Sequence, residues 1–548
     1  MNSDPATHSV KRRFVPVWWY LLLCLAPLAA AVGARATDAF GDEGMHNVLG
    51  ALGLLLSITL WFAWFVFASG AAVRTRVVAA AGAALIIVGL ATTLRFEGVS
   101  GAMIPRFAWR WAPPAAELAA PELKAPAAVA APATALDLTV TASTDYPGFL
   151  GARRDLTVRG VRLARDWENQ PPELLWKQPI GAGWSAFAIV NGVAITQEQR
   201  GDQELVTAYD LKTGKLRWSH TEAGRKNHPV GGLGPRATPL VNDGRVYALG
   251  GTGILVCLNG ADGALLWRKD VPAEFGITPE REASLVDYGR STSPLVVGDQ
   301  LILPVGGEDP ARMPGIVAFD KVDGTLRWEG PPRHISCAAP SVATLAGRQQ
   351  ILVVNEASLS GHDLTDGKLL WEHPRPARTS ADPNVSQPRV VGEDTVFISK
   401  GYGLGSTVLR ITESTAGAAT PLNVEVVWAS RRALRTKFTN VAIRDGHAYG
   451  LSDGILECIA LETGERAWKA GRYGHGQVLL VDDLLLLLAE EGELLLIEAT
   501  PERPNQVLGR IAALEGKTWN NPALSGDLLA VRNAQEAAVY RLPLAAAR

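Results

Sequence analysis

The apolar positions along this chain follow two different rules. Residues 14–32, 48–67 and 77–94 are continuous apolar runs without a single charged side chain. Each is long enough to cross about 30 Å of hydrocarbon as a helix. Beyond residue 146 the runs become short and alternating, and they are cut by Gly, Asp and Asn at turn spacing. That pattern predicts strands joined by tight hairpins. The clearest unit ends in tryptophan: AYDLKTGKLRW (208–218), CLNGADGALLW (257–267), AFDKVDGTLRW (318–328), GHDLTDGKLLW (361–371) and CIALETGERAW (458–468). In every copy a glycine stands four residues before the tryptophan (Gly214, Gly263, Gly324, Gly367, Gly464), preceded by Thr or Asp. Glycine there supplies the positive φ that such hairpins need. A small residue stands ten positions before each tryptophan: Ala208, Cys257, Ala318, Gly361, Cys458. One indole per unit facing a small side chain suggests sheets packed face to face.

Hairpins recurring about every 40–60 residues predict propeller blades. Trp176 and Trp428 end weaker copies, and a degenerate strand lies near Val507 and Leu508. Inner-strand starts can be counted independently, from Gly183, Arg236, Ser291, Cys337, Val385, Phe438, Gly474 and Trp519. They number eight. The last unit, ending VYRLPL, has no tryptophan strand of its own, so the strand at 173–180 is expected to complete it and close the ring. The fold class expected is all-β: an eight-bladed propeller after about three transmembrane helices.

The repeat resembles that of the quinoprotein-like (PQQ-repeat) propeller family, and YPGFLGARRD (146–155) resembles the lead-in of bacterial members. The resemblance covers roughly residues 146–545. The family includes PQQ-dependent alcohol and glucose dehydrogenases and a non-catalytic lipoprotein that helps insert outer-membrane barrels, so it implies a fold more firmly than an activity.

The domain expectation is a membrane region at 1–95, an interfacial segment and Ala/Pro-rich tether at 96–145, and the propeller at 146–548. Lys11, Arg12, Arg13, Arg74 and Arg76 lie on one side of the spans, and Asp38, Asp42 and Glu43 on the other. The positive-inside rule then puts the chain after residue 94 outside the cytoplasm. The expected location is the bacterial inner membrane with the propeller in the periplasm. Ala34-Arg35-Ala36 also fits a signal-peptide cleavage site, which leaves that orientation unchanged. Phe107, Trp109 and Trp111 suit the headgroup level, with an irregular connector as the other reading.

A net charge of -2 gives no nucleic-acid footprint. Four cysteines at these positions predict no disulfide framework, and CxxCH is missing. Propeller ligands bind on the axis near inner-strand starts, where this chain carries Trp184, Arg236, Arg290, Lys437, His475 and Trp519. Gln387, Asn440, Gln477 and Asn520 could add neutral donors. Cations with indoles would favour a flat polycarboxylate such as PQQ. The bland reading pairs the cations with Glu198, Glu308, Asp309 or Glu356. Asp210, Asp320 and Asp363 read as hairpin caps rather than acids or metal ligands.

Two functions follow. The first is a membrane-anchored scaffold that binds a periplasmic protein or peptide, with no enzyme activity. The second is a PQQ-dependent membrane-bound dehydrogenase oxidising an alcohol or sugar, for which the resemblance implies PQQ with calcium. Its adjacent-cysteine pair is absent here, and no Glu/Asn/Asp calcium set can be placed.

Overall fold

A computed structural model of the chain describes residues 17–112, 136–139, 142–306, 313–376 and 383–546. It divides into two compact units, Met1–Glu97 with Met103–Ala112, and Gly98–Ala102 with Pro113–Arg548.

The first unit is led by three helices, α1 (Val17–Ala36), α2 (Glu43–Ala68) and α3 (Val73–Thr93), all long and apolar enough to cross a membrane. Helix α2 begins five residues before its apolar run at 48, because the Asp42 carboxylate accepts the Met45 N–H at 2.8 Å. An N-cap of this kind starts a helix whatever the polarity of its first turn. Gly53 lets α2 approach α1 closely, since a Cβ there would lie 2.8 Å from the Pro27 carbonyl. The segment expected to be interfacial is a two-stranded sheet, Leu94–Val99 with Pro105–Trp109, rather than an irregular connector. Phe96, Phe107, Trp109 and Trp111 are exposed on it, and the last two stack at 4.9 Å. Lys11, Arg12, Arg13 and most of the tether lie outside the described residues.

The second unit holds eight blades, and in six of them four strands pair in chain order as a simple meander. The first blade is typical: Ala188–Val190, Val193–Arg200, Gln203–Asp210 and Leu216–Ala223. The eighth contains Ala523–Ser525, Leu528–Arg532 and Glu536–Arg541, and Glu173–Pro179 pairs with the last of these as its outer strand. The ring is closed by the strand expected to close it, which gives the eighth blade its fourth strand.

The repeat is legible in atoms. Each small residue lies directly across from its tryptophan (Ala208 from Trp218, Cys257 from Trp267, Cys458 from Trp468), and the register shifts immediately afterwards. The indole then reaches the next blade. Trp218 Nε1 donates to the Gly260 carbonyl at 2.9 Å, Trp428 to Leu461 at 2.8 Å and Trp468 to Thr500 at 2.9 Å. Trp328 and Trp371 depart from this and bond the Gln300 and Gln350 side chains of their own blades. The repeat glycine serves twice. Gly263 has φ +75°, and a Cβ on it would stand 2.6 Å from the Trp218 ring. Asp210, Asp320 and Asp363 accept backbone N–H groups of their turns at 2.7–2.9 Å, as caps do.

The lead-in at 146–158 crosses the inner strands. Tyr146 bridges Ile189, Pro147 accepts the Val241 N–H at 2.8 Å, and Thr157–Val158 pairs in parallel with Gln477–Val481. Between them the Arg154 guanidinium donates to the Ser293, Pro294 and Pro340 carbonyls, while Arg389 donates to the carbonyls of Arg154 and Asp155. One segment thus ties together inner strands of at least five blades.

Candidate functional site: the axial aromatic and acidic cluster

The residues before the inner strands bring three of the six expected site side chains into one cluster. Trp184 and Trp519, which precede the inner strands of the first and eighth blades, lie with ring centroids 4.9 Å apart. Phe438 stands 4.7 Å from Trp519 and 5.3 Å from the His475 ring. The Lys517 ammonium lies over both indoles, 4.2 Å from Trp519 and 5.2 Å from Trp184, within cation–π range.

Glu490 sits beneath this cluster. Its Oε1 accepts the Trp519 Nε1–H at 3.0 Å and the Gly101 N–H at 2.6 Å, and its Oε2 accepts the His475 N–H at 2.9 Å. Burial alone would raise its pKa, but the donated N–H groups outweigh burial and hold the carboxyl below its ordinary value. It is therefore an ionised, buried acceptor.

Arg236 joins the cluster through a shared carbonyl: Gly231 O accepts both Trp184 Nε1 (2.6 Å) and Arg236 Nη2 (2.9 Å). The guanidinium also donates to Gly232 O and Gly234 O at 3.1 Å. Burial pulls its pKa down to about 10, so it remains charged. Arg290 has partners of its own. It is fully buried, forks onto both oxygens of Glu282 at 2.7 and 2.9 Å, and donates to Val305 O at 2.6 Å. Glu282 comes from α5 (Pro279–Leu285), which with α4 (Val271–Glu274) fills the connection between the second and third blades. Lys437 is buried, with its ammonium 5.4 Å from the centre of the Tyr402 ring.

The neutral donors expected for a ligand hold blades together instead. Asn520 Nδ2 donates to Gly183 O and Ser185 O, Gln477 Nε2 to Phe438 O and Trp519 O, and Asn440 Oδ1 accepts the Gln387 N–H. Backbone carbonyls at inner-strand starts would otherwise be buried without partners, which is costly. Of the acids proposed as cation partners, Glu198 pairs with Arg200 at 2.7 Å and Glu356 with His334 at 3.0 Å. Glu308 and Asp309 lie outside the described residues. Arg532, which no motif singles out, is fully buried and donates to Thr196 Oγ1, Gln197 O and Gly181 O at 2.7–2.9 Å.

A flat tricarboxylate does not fit between these two indoles. An aromatic plane inserted between two rings needs them about 7 Å apart, twice the ordinary carbon contact distance, and the indoles stand at 4.9 Å with Lys517 already over them. Arg236 and Arg290 each already donate to three oxygens within the chain. Among the described residues no three His, Cys, Asp or Glu side chains are grouped as metal ligands.

The family model described as "Outer membrane protein assembly factor BamB" matches residues 202–470. A polyvinylalcohol dehydrogenase from a Pseudomonas species is 25% identical over 291 residues, which are 44% of this chain and 43% of that protein. The chain thus spans less than half the length of this curated relative. Among solved structures, BamB from Moraxella catarrhalis aligns over 69% of this chain and 99% of its own, with a TM-score of 0.46 and 14% identity. The quinohemoprotein alcohol dehydrogenase from Comamonas testosteroni aligns over 74% and 81%, with a TM-score of 0.41 and 13% identity. With eight blades built on the Gly-to-Trp repeat, and with the BamB model matching its middle, the chain resembles the quinoprotein-like PQQ-repeat propellers.

Proposed function

We propose that this chain is a membrane-anchored scaffold whose propeller stands in the periplasm and binds a segment of a protein partner at the axial cluster. The observation that carries this reading is the state of the cations. Arg236 and Arg290, which could have held an anionic cofactor, are turned onto the chain's own carbonyls and onto the Glu282 carboxylate. The mouth around them presents indole and phenyl surface beside one ionised acceptor, Glu490. Aromatic surface around a buried acceptor suits a peptide, which offers apolar side chains and backbone N–H donors together. The charge asymmetry of the spans, with Arg74 and Arg76 at the start of α3, supports the outward orientation.

The test is photo-crosslinking in intact cells, with benzoylphenylalanine in place of Phe438 at the cluster or of exposed Lys212 on the rim. A discrete protein adduct from position 438 is expected, and the rim position should give none. Equal adducts from both positions, or none from either, would sink the scaffold reading. The likeness to the polyvinylalcohol dehydrogenase keeps a second reading, a membrane-bound PQQ-dependent dehydrogenase. That reading requires a cofactor seat elsewhere than between these indoles.

A further inference from the structure

Leu94, the residue after α3, already belongs to a strand. Helix α3 has 21 residues, about 32 Å at 1.5 Å per residue, close to the thickness of a bilayer's hydrocarbon core. With α3 crossing the membrane, Leu94 starts at the boundary with water, and no linker carries the chain away from it. The Arg110 N–H donates to Thr93 O at 2.8 Å, so the chain returns to the end of the span after the second strand. The open end of the sheet formed by Leu94–Val99 and Pro105–Trp109 is thus held at the level where α3 leaves the bilayer.

One face of this sheet is bare and apolar. Exposure alternates along Pro105–Trp109: Pro105, Phe107 and Trp109 are exposed, and Arg106 and Ala108 are half-buried. Phe96 of the other strand meets Phe107 edge-on at 5.9 Å, so the face spans both strands. Trp111 extends it by stacking on Trp109 at 4.9 Å. All four rings are more than half exposed. A contiguous aromatic face open to water marks an interaction surface, and a headgroup layer is where indoles concentrate. The charges suit the same layer. Residues 94–111 carry three arginines against one glutamate. Glu97 holds Arg95 at 2.7 Å. Arg110 is exposed, and its Nε donates to Leu94 O at 3.1 Å. Among the described residues no carboxylate pairs with Arg110. Its guanidinium therefore stands beside the end of the span, at the depth of the lipid phosphates.

We propose that this hairpin is a lipid-docking platform. Its face of Phe96, Phe107, Trp109 and Trp111 lies on the headgroup layer, and Arg110 binds the phosphate of an anionic phospholipid. This rests on the membrane-anchored part of the reading above and is independent of what the propeller binds.

The test uses the full chain in lipid nanodiscs, with Cys337→Ser removing the one half-buried native thiol. An environment-sensitive NBD label is placed on Phe107→Cys or on Ala108→Cys. Lipid carrying a doxyl group near its headgroup should quench the label at 107 strongly and the label at 108 little, because successive residues of a strand face opposite ways. Doxyl-labelled anionic phospholipid should quench position 107 more than its zwitterionic counterpart does. Arg110→Gln should lower that local enrichment about fivefold, the effect of one cation near an anionic surface. Equal quenching at the two positions, or none at either, would overturn the proposal, because the face would then be covered by protein or bathed in water. Equal quenching by the two lipids, or a preference that Arg110→Gln leaves unchanged, would overturn the role of Arg110. Extraction of the chain from membranes by alkaline carbonate would instead defeat the membrane-anchored reading itself, and the docking proposal with it.

Discussion

The contact between Trp218 and Gly263 offers a sharp test of how the blades hold one another. The Trp218 indole is 5% exposed, its N–H is given to Gly260 O of the next blade, and Gly263 of that blade lies against its ring. Trp218→Ala removes a large core side chain and orphans a buried carbonyl, a loss of about 3–5 kcal/mol. For roughly 400 residues unfolding together, the unfolding entropy is about 0.8 kcal/mol/K, so the melting temperature should fall by about 4–6 °C. Gly263→Ala has two costs of different origin. The left-handed φ of +75° costs an alanine about 1–2 kcal/mol. The added methyl, built 2.6 Å from the ring, costs about 1–3 kcal/mol more in overpacking. Only the second cost depends on the indole. In the Trp218→Ala background, Gly263→Ala should therefore cost only the backbone part, leaving a coupling of about 1–3 kcal/mol. Scanning calorimetry of the four proteins in the same detergent measures the cycle. Additivity within about 0.5 kcal/mol, or a shift below about 1 °C for Trp218→Ala, would refute the packing argument.

Further outcomes follow from the same structure. Glu282→Ala should strand the fully buried Arg290 guanidinium and cost about 3–5 kcal/mol, read as a loss of melting temperature; a change near zero would mean that water reaches Arg290. Burial holds the His362 pKa down to about 4, so the unfolded chain takes up a proton before the folded one does. That contribution to stability is complete above about pH 6.5 and is lost as pH falls through 4, on the order of 3 kcal/mol, and His362→Gln should flatten this part of the pH profile. An identical profile in the variant would exclude His362 as the source. A reporter fused after Arg548 should be active only outside the cytoplasm, and a cytoplasmic signal in intact cells would overturn the orientation inferred from Arg74 and Arg76.

What was legible in the sequence was what repeats. The Gly-to-Trp spacing, the eight inner-strand starts and the orphan strand before Pro179 carry the whole ring, because each blade solves the same packing problem with the same residues. The caps at Asp210, Asp320 and Asp363 were legible because a turn is local. The site was legible only in part. Register alone brings Trp184, Trp519 and His475 to one end of the inner strands, whereas the approach of Phe438, Lys517 and Glu490 to them follows from no repeat position. Glu490 lies between the second and third strands of its blade, a place where a count of inner-strand starts does not look. Gln477 and Asn520 were read as ligand donors because their true acceptors are backbone carbonyls, which no side-chain pattern reveals. The pairing of Arg290 is not legible in the sequence because Glu282, eight residues earlier, reaches it only once α5 has formed. The early start of α2 was missed because hydropathy ignores the cap at Asp42.

The central claim is that the axial cluster takes protein rather than a quinone. Its most direct test is the full chain purified in detergent, incubated with PQQ and calcium, passed through a desalting column, and read by absorption and by dye-linked oxidation of alcohols, sugars and polyvinyl alcohol. The account predicts that no quinone is retained and that dye reduction stays at the level of the protein-free blank. Stoichiometric retention of PQQ together with substrate-dependent dye reduction, both weakened by Arg236→Ala, would contradict it and establish the dehydrogenase instead.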